Sequence, residues 1–191
     1  MYILQKVKLL YLNLYKNYNM EPKLDEKDLA ILTLLQTNCR TTAREIARKI
    51  DSPITTVFAK MRRMERLKII KNYKAILDCK KLNFGTTAFI LASFSYRNGE
   101  TPLSQRAMAQ QIAKFPEVQE VHIITGDWDL LIKLKAENVD AVGKFVIDKL
   151  RLVKGIEKTL TCMVFETQKE TTDITLPLKR QLLEKIQRRR V

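Results

Sequence analysis

The chain has 191 residues, 46% hydrophobic and 29% charged, a balance that suits a globular, soluble protein with one large or two small cores. A formal charge of +14 and an isoelectric point near 9.8 favour a polyanionic partner, either nucleic acid or an anionic membrane surface. No run of about eighteen apolar residues occurs to span a bilayer, and Cys39, Cys79 and Cys162 are too few and too scattered for a disulfide framework or a zinc site.

The charge is unevenly placed. Net values are +3 for residues 1–23, +5 for 24–78, +1 for 79–177 and +5 for 178–191. A nearly neutral segment therefore follows a basic module and precedes a basic end, which predicts two domains with different tasks.

Residues 1–23 form an N-terminal extension rich in Leu and Tyr with interspersed Lys6, Lys8 and Lys16. No small-residue cleavage site follows, so a secretory signal is discounted. Two readings stand: an amphipathic helix, or an upstream extension of a chain whose natural start is Met20.

Residues 24–68 predict three helices. Asp25 serves as N-cap for a helix carrying Leu29, Ile31, Leu32, Leu34 and Leu35 and ending near Thr37 and Asn38. Thr42 and Glu45 have capping-box spacing and start a short helix with Ile46, Ala47 and Ile50. Asp51 supplies a turn, Ser52 an N-cap and Pro53 a first helical residue for a third helix running to Leu67. Ile54, Val57, Met61 and Met64 are its expected buried stripe. Thr55, Thr56, Ala59, Lys60, Arg62, Arg63 and Arg66 are its expected outer face. This is a helix-turn-helix whose third helix offers short residues to base edges and cations to phosphates.

Residues 69–86 read as a connecting strand and linker, because Ile69, Ile70, Tyr73, Ala75, Ile76 and Leu77 are β-prone. That strand is suited to a small wing. Residues 87–166 then predict strand 87–96, helix 103–115, strands 118–125 and 129–135 joined through Gly126, helix 138–150 and strand 156–165. The order βαββαβ is that of a ferredoxin-like sandwich, so the fold class is α+β. Such a sheet has one face without helices, and a homodimer is expected to cover it. Residues 167–191 are a basic C-terminal tail with helical spacing among its leucines and a solvated end as the plain alternative.

Several strings, in this order and spacing, carry a resemblance. They are Leu24-Asp25-x-x-Asp28-x-x-Ile31-Leu32, Arg40-x-Thr42-x-x-Glu45-Ile46-Ala47 and Thr56-Val57. They continue with Met61, Arg63, Met64, Glu65 and Ile70, then Pro116-Glu117-Val118 and Gly126-Asp127-Trp128-Asp129. Over residues 24–165 the chain resembles the Lrp/AsnC (leucine-responsive, feast/famine) family of transcription regulators. The resemblance implies a DNA-binding helix-turn-helix joined to a ligand-sensing sandwich, dimers that can assemble into octamers, and an amino-acid effector near residues 126–129. Two departures stand out: Asp51-Ser52-Pro53 replaces the usual Gly-Leu-Ser, and Lys68 stands where the family usually has glycine.

The expected DNA-binding residues are thus Thr42, Thr55, Thr56, Ala59, Lys60, Arg62, Arg63 and Arg66, acting on a pseudo-palindromic operator in double-stranded DNA. The expected effector residues are Gly126, Asp127, Trp128 and Asp129, with Thr159 and Thr161 as weaker candidates. Gly126 permits close backbone approach, and the two carboxylates suit an ammonium group. Turn chemistry alone also accounts for Gly-Asp-x-Asp. The function this predicts is sequence-specific transcription regulation tuned by an amino acid or related metabolite, in the cytoplasm at the nucleoid. An architectural DNA-binding protein with little sequence preference is the alternative. An enzyme is not expected: His122 lies mid-strand and no nucleophile pair, phosphate loop, cofactor motif or metal cluster occurs.

Overall fold

A computed structural model describes residues 23–98, 101–180 and 184. The chain divides into two compact units, one built from residues up to Ala75 together with those from Thr171 onward, the other from Ile76–Glu170. The expectations for the N-terminal extension and for a helix in the last residues fall outside the described residues.

The first unit contains α1 (Glu26–Thr37), α2 (Ala43–Ile50) and α3 (Ile54–Arg66). Two reciprocal capping boxes start α1 and α2. The Asp28 amide donates to Asp25 Oδ1 at 2.9 Å while Asp28 Oδ2 accepts from the Asp25 amide at 3.0 Å. The Thr42 amide donates to Glu45 Oε2 at 2.7 Å and the Glu45 amide to Thr42 Oγ1 at 3.2 Å. Each box satisfies two otherwise orphaned amides. Helical spacing then buries Ile31, Leu34 and Leu35 of α1 against Ile46 and Ile50 of α2 and Val57 and Met64 of α3.

Both departures from the family pattern sit on left-handed backbone. Asp51, at φ 54°, ends α2, and the Ser52 amide reaches back to the Ala47 carbonyl at 3.0 Å. Lys68, at φ 58°, ends α3: its amide donates to Glu65 O at 3.0 Å and the Ile69 amide to Met64 O at 2.9 Å. That pair of bonds is a Schellman motif built on lysine rather than glycine. The stop signal survives and the missing glycine costs only backbone strain.

Three details of this unit correct the sequence reading. Ser52 does not cap α3: Pro53 holds that position without a side-chain bond, and Ser52 Oγ accepts from Lys27 Nζ at 3.2 Å. Ile54 lies 45% exposed, outside the stripe assigned to it. Residues 69–77 form no strand and pair with none among the described residues, and Ile76 and Leu77 are exposed.

The second unit is a sheet of order β4-β5-β1-β6, every neighbour antiparallel. Its strands are β1 (Thr86–Phe94), β4 (Val118–Ile123), β5 (Leu130–Ala136) and β6 (Ile156–Met163), with a small ribbon of β2 (Arg97–Asn98) and β3 (Thr101–Pro102). The helices α4 (Gln105–Ile112) and α5 (Val139–Lys144) cover one face, α5 running on through a π turn at Phe145–Lys149. Alternation puts Ala88, Ile90 and Ala92 of β1 and Leu130, Ile132 and Leu134 of β5 under the helices, against Met108, Ile112, Phe145 and Leu150. This is the βαββαβ sandwich expected from the strand and helix rhythm.

Register places Phe89 and Leu91 of β1, Leu131 of β5 and Leu160 and Cys162 of β6 on the opposite face. At the edge of that face Lys133 bridges Glu120 at 3.2 Å and Glu170 at 2.5 Å, and Lys135 bridges Glu170 at 2.9 Å. His122 joins the group through Glu120 at 3.1 Å.

Candidate nucleic-acid interface and effector loop

Four side chains of α3 line up along its exposed surface: Thr55, Ala59, Arg62 and Arg66, at i, i+4, i+7 and i+11. That spacing keeps them on one stripe of a 3.6-residue helix. Thr56 is half-buried beside it. Thr42 lies exposed at the start of α2, its hydroxyl engaged with Glu45.

The other two cations assigned to this surface turn the opposite way. Asp28, fully buried in α1, accepts from Lys60 Nζ at 3.1 Å and from Arg63 Nη1 at 3.3 Å. Lys60 also meets Asp25 at 2.5 Å, and Arg63 Nη2 donates to the Lys23 carbonyl at 3.0 Å. Burial disfavours the Lys60 ammonium, but its bonds to Asp25 and Asp28 outweigh that and leave its pKa raised. The Lys60 bond likewise holds the Asp25 carboxyl below its usual value, against a smaller opposing effect of burial. Lys60 and Arg63 are therefore compensated within the unit, and the exposed face is narrower than composition implied. The reason is geometric: residues 60 and 63 fall on the flank facing the N-terminal turn of α1.

Sequence reasoning missed two residues here. Asp28 was legible as the acidic residue three places after Asp25, since a capping box predicts its inward turn. Phe58 is 53% exposed on α3, out of phase with Val57, Met61 and Met64, and the Arg62 guanidinium stacks 5.2 Å from its ring centroid. That contact restrains a side chain otherwise free to swing.

The loop between β4 and β5 holds the four expected effector residues together by chain continuity. Gly126, at φ 116°, turns the chain, and the Ile124 amide closes the loop on the Asp129 carbonyl at 2.9 Å. Gly126 and Asp127 are exposed and Trp128 is half-buried. Asp129 has a different placement from that expected. Its Oδ2 accepts from the Phe94 amide at 2.8 Å, its amide donates to the Ala92 carbonyl at 3.1 Å, and Gln105 Nε2 approaches its Oδ1 at 3.4 Å. The β1–β5 pairing ends at Ala92 and Leu130, so the Phe94 amide, on the same side of β1 as the Ala92 carbonyl, lies just past the ladder. Asp129 satisfies it, so its carboxylate is occupied in holding the sheet. Thr159 and Thr161 pair with Ala92 and Ile90, on the helix side of β6, where Thr159 is half-buried and Thr161 exposed.

A three-helix reading head and a βαββαβ sandwich define a class of protein, a helix-turn-helix regulator with a ligand-binding domain. A winged helix-turn-helix DNA-binding model matches residues 24–71, and an Lrp/AsnC ligand-binding-domain model matches residues 87–174. An uncharacterized HTH-type transcriptional regulator of Pyrococcus abyssi is 44% identical over 147 residues, covering 77% of this chain and 96% of the relative. The HTH-type transcriptional regulator FL11 of Pyrococcus horikoshii is 32% identical over 160 residues, 84% of this chain and all of that one. A Neisseria meningitidis transcriptional regulator solved in complex with L-Met aligns at TM-score 0.75 and 27% identity, covering 81% of this chain and 98% of that chain. Escherichia coli AsnC shares the fold at TM-score 0.70, with 79% and 98% covered. The chain belongs to the Lrp/AsnC family: it is a DNA-binding transcription regulator, not an enzyme. Among the described residues no helix is long and apolar enough to cross a membrane.

Proposed function

We propose that this regulator reads a pseudo-palindromic operator as a homodimer, with α3 in the major groove and an amino acid bound near the β4–β5 loop. The carrying observation is the exposed Thr55–Ala59–Arg62–Arg66 stripe. Thr55 and Ala59, with Thr56 at the margin, present methyl groups and a hydroxyl to base edges. Arg62, steadied by Phe58, and Arg66 bind phosphates. Lys60 and Arg63 act indirectly, clamping α3 onto the first turn of α1 so that the stripe has one orientation. Thr42 sets the start of α2 and lends a backbone-side contact there.

Dimerisation is supported by the helix-free sheet face, where Phe89, Leu91, Leu131 and Leu160 form an apolar surface. A two-fold dimer repeats α3, and half-sites then fall about one helical turn, or a multiple of it, apart. The effector reading rests on the exposed Asp127 and the positive-φ Gly126, and on the L-Met complex of the Neisseria relative. Asp127 receives the ammonium group, and loop amides receive the carboxylate.

Selection of bound sites from random duplexes, with and without each of the twenty amino acids, tests the whole reading. Discrete palindromes whose recovery changes with one amino acid are expected. Uniform recovery governed by salt alone identifies the architectural alternative instead. For residue roles, Arg62→Ala and Arg66→Ala each lower the salt slope of binding by about one. An unchanged slope in both removes them from the interface.

A further inference from the structure

The flank of α3 opposite Lys60 and Arg63 carries two exposed apolar side chains. Ile54 and Phe58 are 45% and 53% exposed, and their four-residue spacing makes them neighbours on the helix surface. At about 100° per residue Phe58 lies about 60° and Ile54 about 100° round the helix from Thr55. One flank of the Thr55–Ala59–Arg62–Arg66 stripe is therefore closed by the ion pairs to Asp25 and Asp28, and the other is open and apolar.

Two contacts tie this apolar edge to the stripe. The Arg62 guanidinium lies 5.2 Å from the Phe58 ring centroid, so a cation of the stripe sits over one face of the ring. Further along the same flank Glu65, the one carboxylate of α3, accepts from the Tyr73 hydroxyl at 2.9 Å. That pair occupies the C-terminal half of the flank and leaves Ile54 and Phe58 open beside Thr55 and Ala59. A second protein chain is a poor match for an edge only two side chains wide with a guanidinium charge across it. A duplex groove fits both parts, offering phosphates to Arg62 and thymine methyl groups to the apolar pair.

We propose that Phe58, with Ile54 beside it, reads thymine methyl groups in the major groove and so sets part of the operator's sequence. The inference rests on the reading of α3 as the groove-facing helix. Apolar contact distinguishes the C5-methyl of thymine from the bare edge of cytosine, and the N-terminal part of a reading helix is the part that meets base edges. Ile54 and Phe58 stand first and fifth in α3. They are about 6 Å apart along the helix axis, roughly the rise of two base pairs, so the pair spans neighbouring thymines.

Removing one methyl at a time isolates the contact. Sites selected from random duplexes are resynthesised with a single deoxyuridine in place of each thymidine in turn. Binding is titrated with the full chain, with Phe58→Ala, and with Arg62→Ala and Arg66→Ala. Phe58 is exposed and alanine suits a helix, so its variant keeps the fold. At one or more positions the wild-type chain is expected to lose about three- to fivefold in affinity for each methyl removed, and Phe58→Ala less than about twofold. Equal penalties in the two chains at every position overturn the inference, because weaker binding to all duplexes alike leaves Phe58 only the support of Arg62. A smaller assembly of free Phe58→Ala in light scattering also overturns it, giving the apolar pair to a second copy. An unchanged salt slope in both arginine variants fails the reading of α3 itself, whereas a reduced slope beside equal deoxyuridine penalties fails the apolar edge alone. Recovery of no discrete site overturns the inference together with the sequence-specific reading beneath it.

Discussion

Replacing Asp28 with Asn tests whether α3 is oriented by a buried charge. The substitution keeps the size of the side chain and an oxygen for the Asp25 amide, but removes the negative charge facing Lys60 and Arg63. Breaking a buried ion pair from one side costs about 3–5 kcal/mol when the remaining charge stays buried. Here the cations have outlets. Lys60 keeps Asp25, and Arg63 keeps the Lys23 carbonyl with 37% of its side chain exposed. Discounting for that exposure gives a loss of about 2–3 kcal/mol. For a helical unit of this size, each 1 kcal/mol lowers the melting temperature by about 4–8 °C, so the helical transition should fall by roughly 8–24 °C. The assay is circular dichroism at the helical band on the full chain, with urea titration for the free energy. DNA binding at low temperature should keep its salt slope, since Asp28 touches no phosphate in the proposed complex. A loss below about 0.5 kcal/mol, the range of an ordinary surface change, would refute the clamp and return Lys60 and Arg63 to the exposed face.

Lys68→Gly should raise stability by about 0.5–1 kcal/mol, because glycine relieves the left-handed strain at the end of α3 and returns only part of that as unfolded-state entropy; a lower urea midpoint would contradict it. Asp129→Ala should destabilise the sandwich by about 1.5–3 kcal/mol by leaving the Phe94 amide without its charged acceptor, whereas loss of effector response with full stability would make Asp129 a ligand residue after all. Acid should weaken both units: Lys60 lowers the pKa of Asp25, His122 and then Lys133 lower that of Glu120, and Lys133 and then Lys135 lower that of Glu170. A carboxyl depressed in the folded state gives stability that is complete above its ordinary value, 3.8 for Asp and 4.5 for Glu, and is lost as pH falls through the lower folded value. Melting temperatures should therefore drop steeply below about pH 4; a flat profile from pH 5 to pH 3 would contradict these pairings.

Much of the architecture is written locally. The capping boxes at Asp25 and Thr42 fall where a three-residue spacing of polar caps meets an apolar helical period, and both formed. The βαββαβ rhythm of residues 87–165 reads directly from alternation and turn signals, because each strand of a one-sided sheet must alternate. Gly126 marked the β4–β5 turn for the same local reason, and the motif spacing was specific enough to carry the family.

What no window of sequence contained was the pairing of groups far apart in the chain. Helical periodicity puts Lys60 about 160° and Arg63 about 100° round α3 from Arg62, but only the approach of α1 brings the buried Asp28 to meet them. Asp129 reads as a loop carboxylate until folding brings it beside the Phe94 amide, which lies just past the last β1–β5 pair. Among the described residues the β-prone stretch 69–77 meets no partner strand, so propensity had nothing to act on. Ile174 meets Gln36 across 138 positions of sequence, a contact set by how the chain closes rather than by any local preference. Local spacing thus determined which elements form and which family they belong to, while long-range packing decided which charges remain available outside. The physical reason is that helix and strand formation depend on neighbours within a few residues, whereas the availability of a charged side chain depends on every group folding brings within hydrogen-bond reach of it.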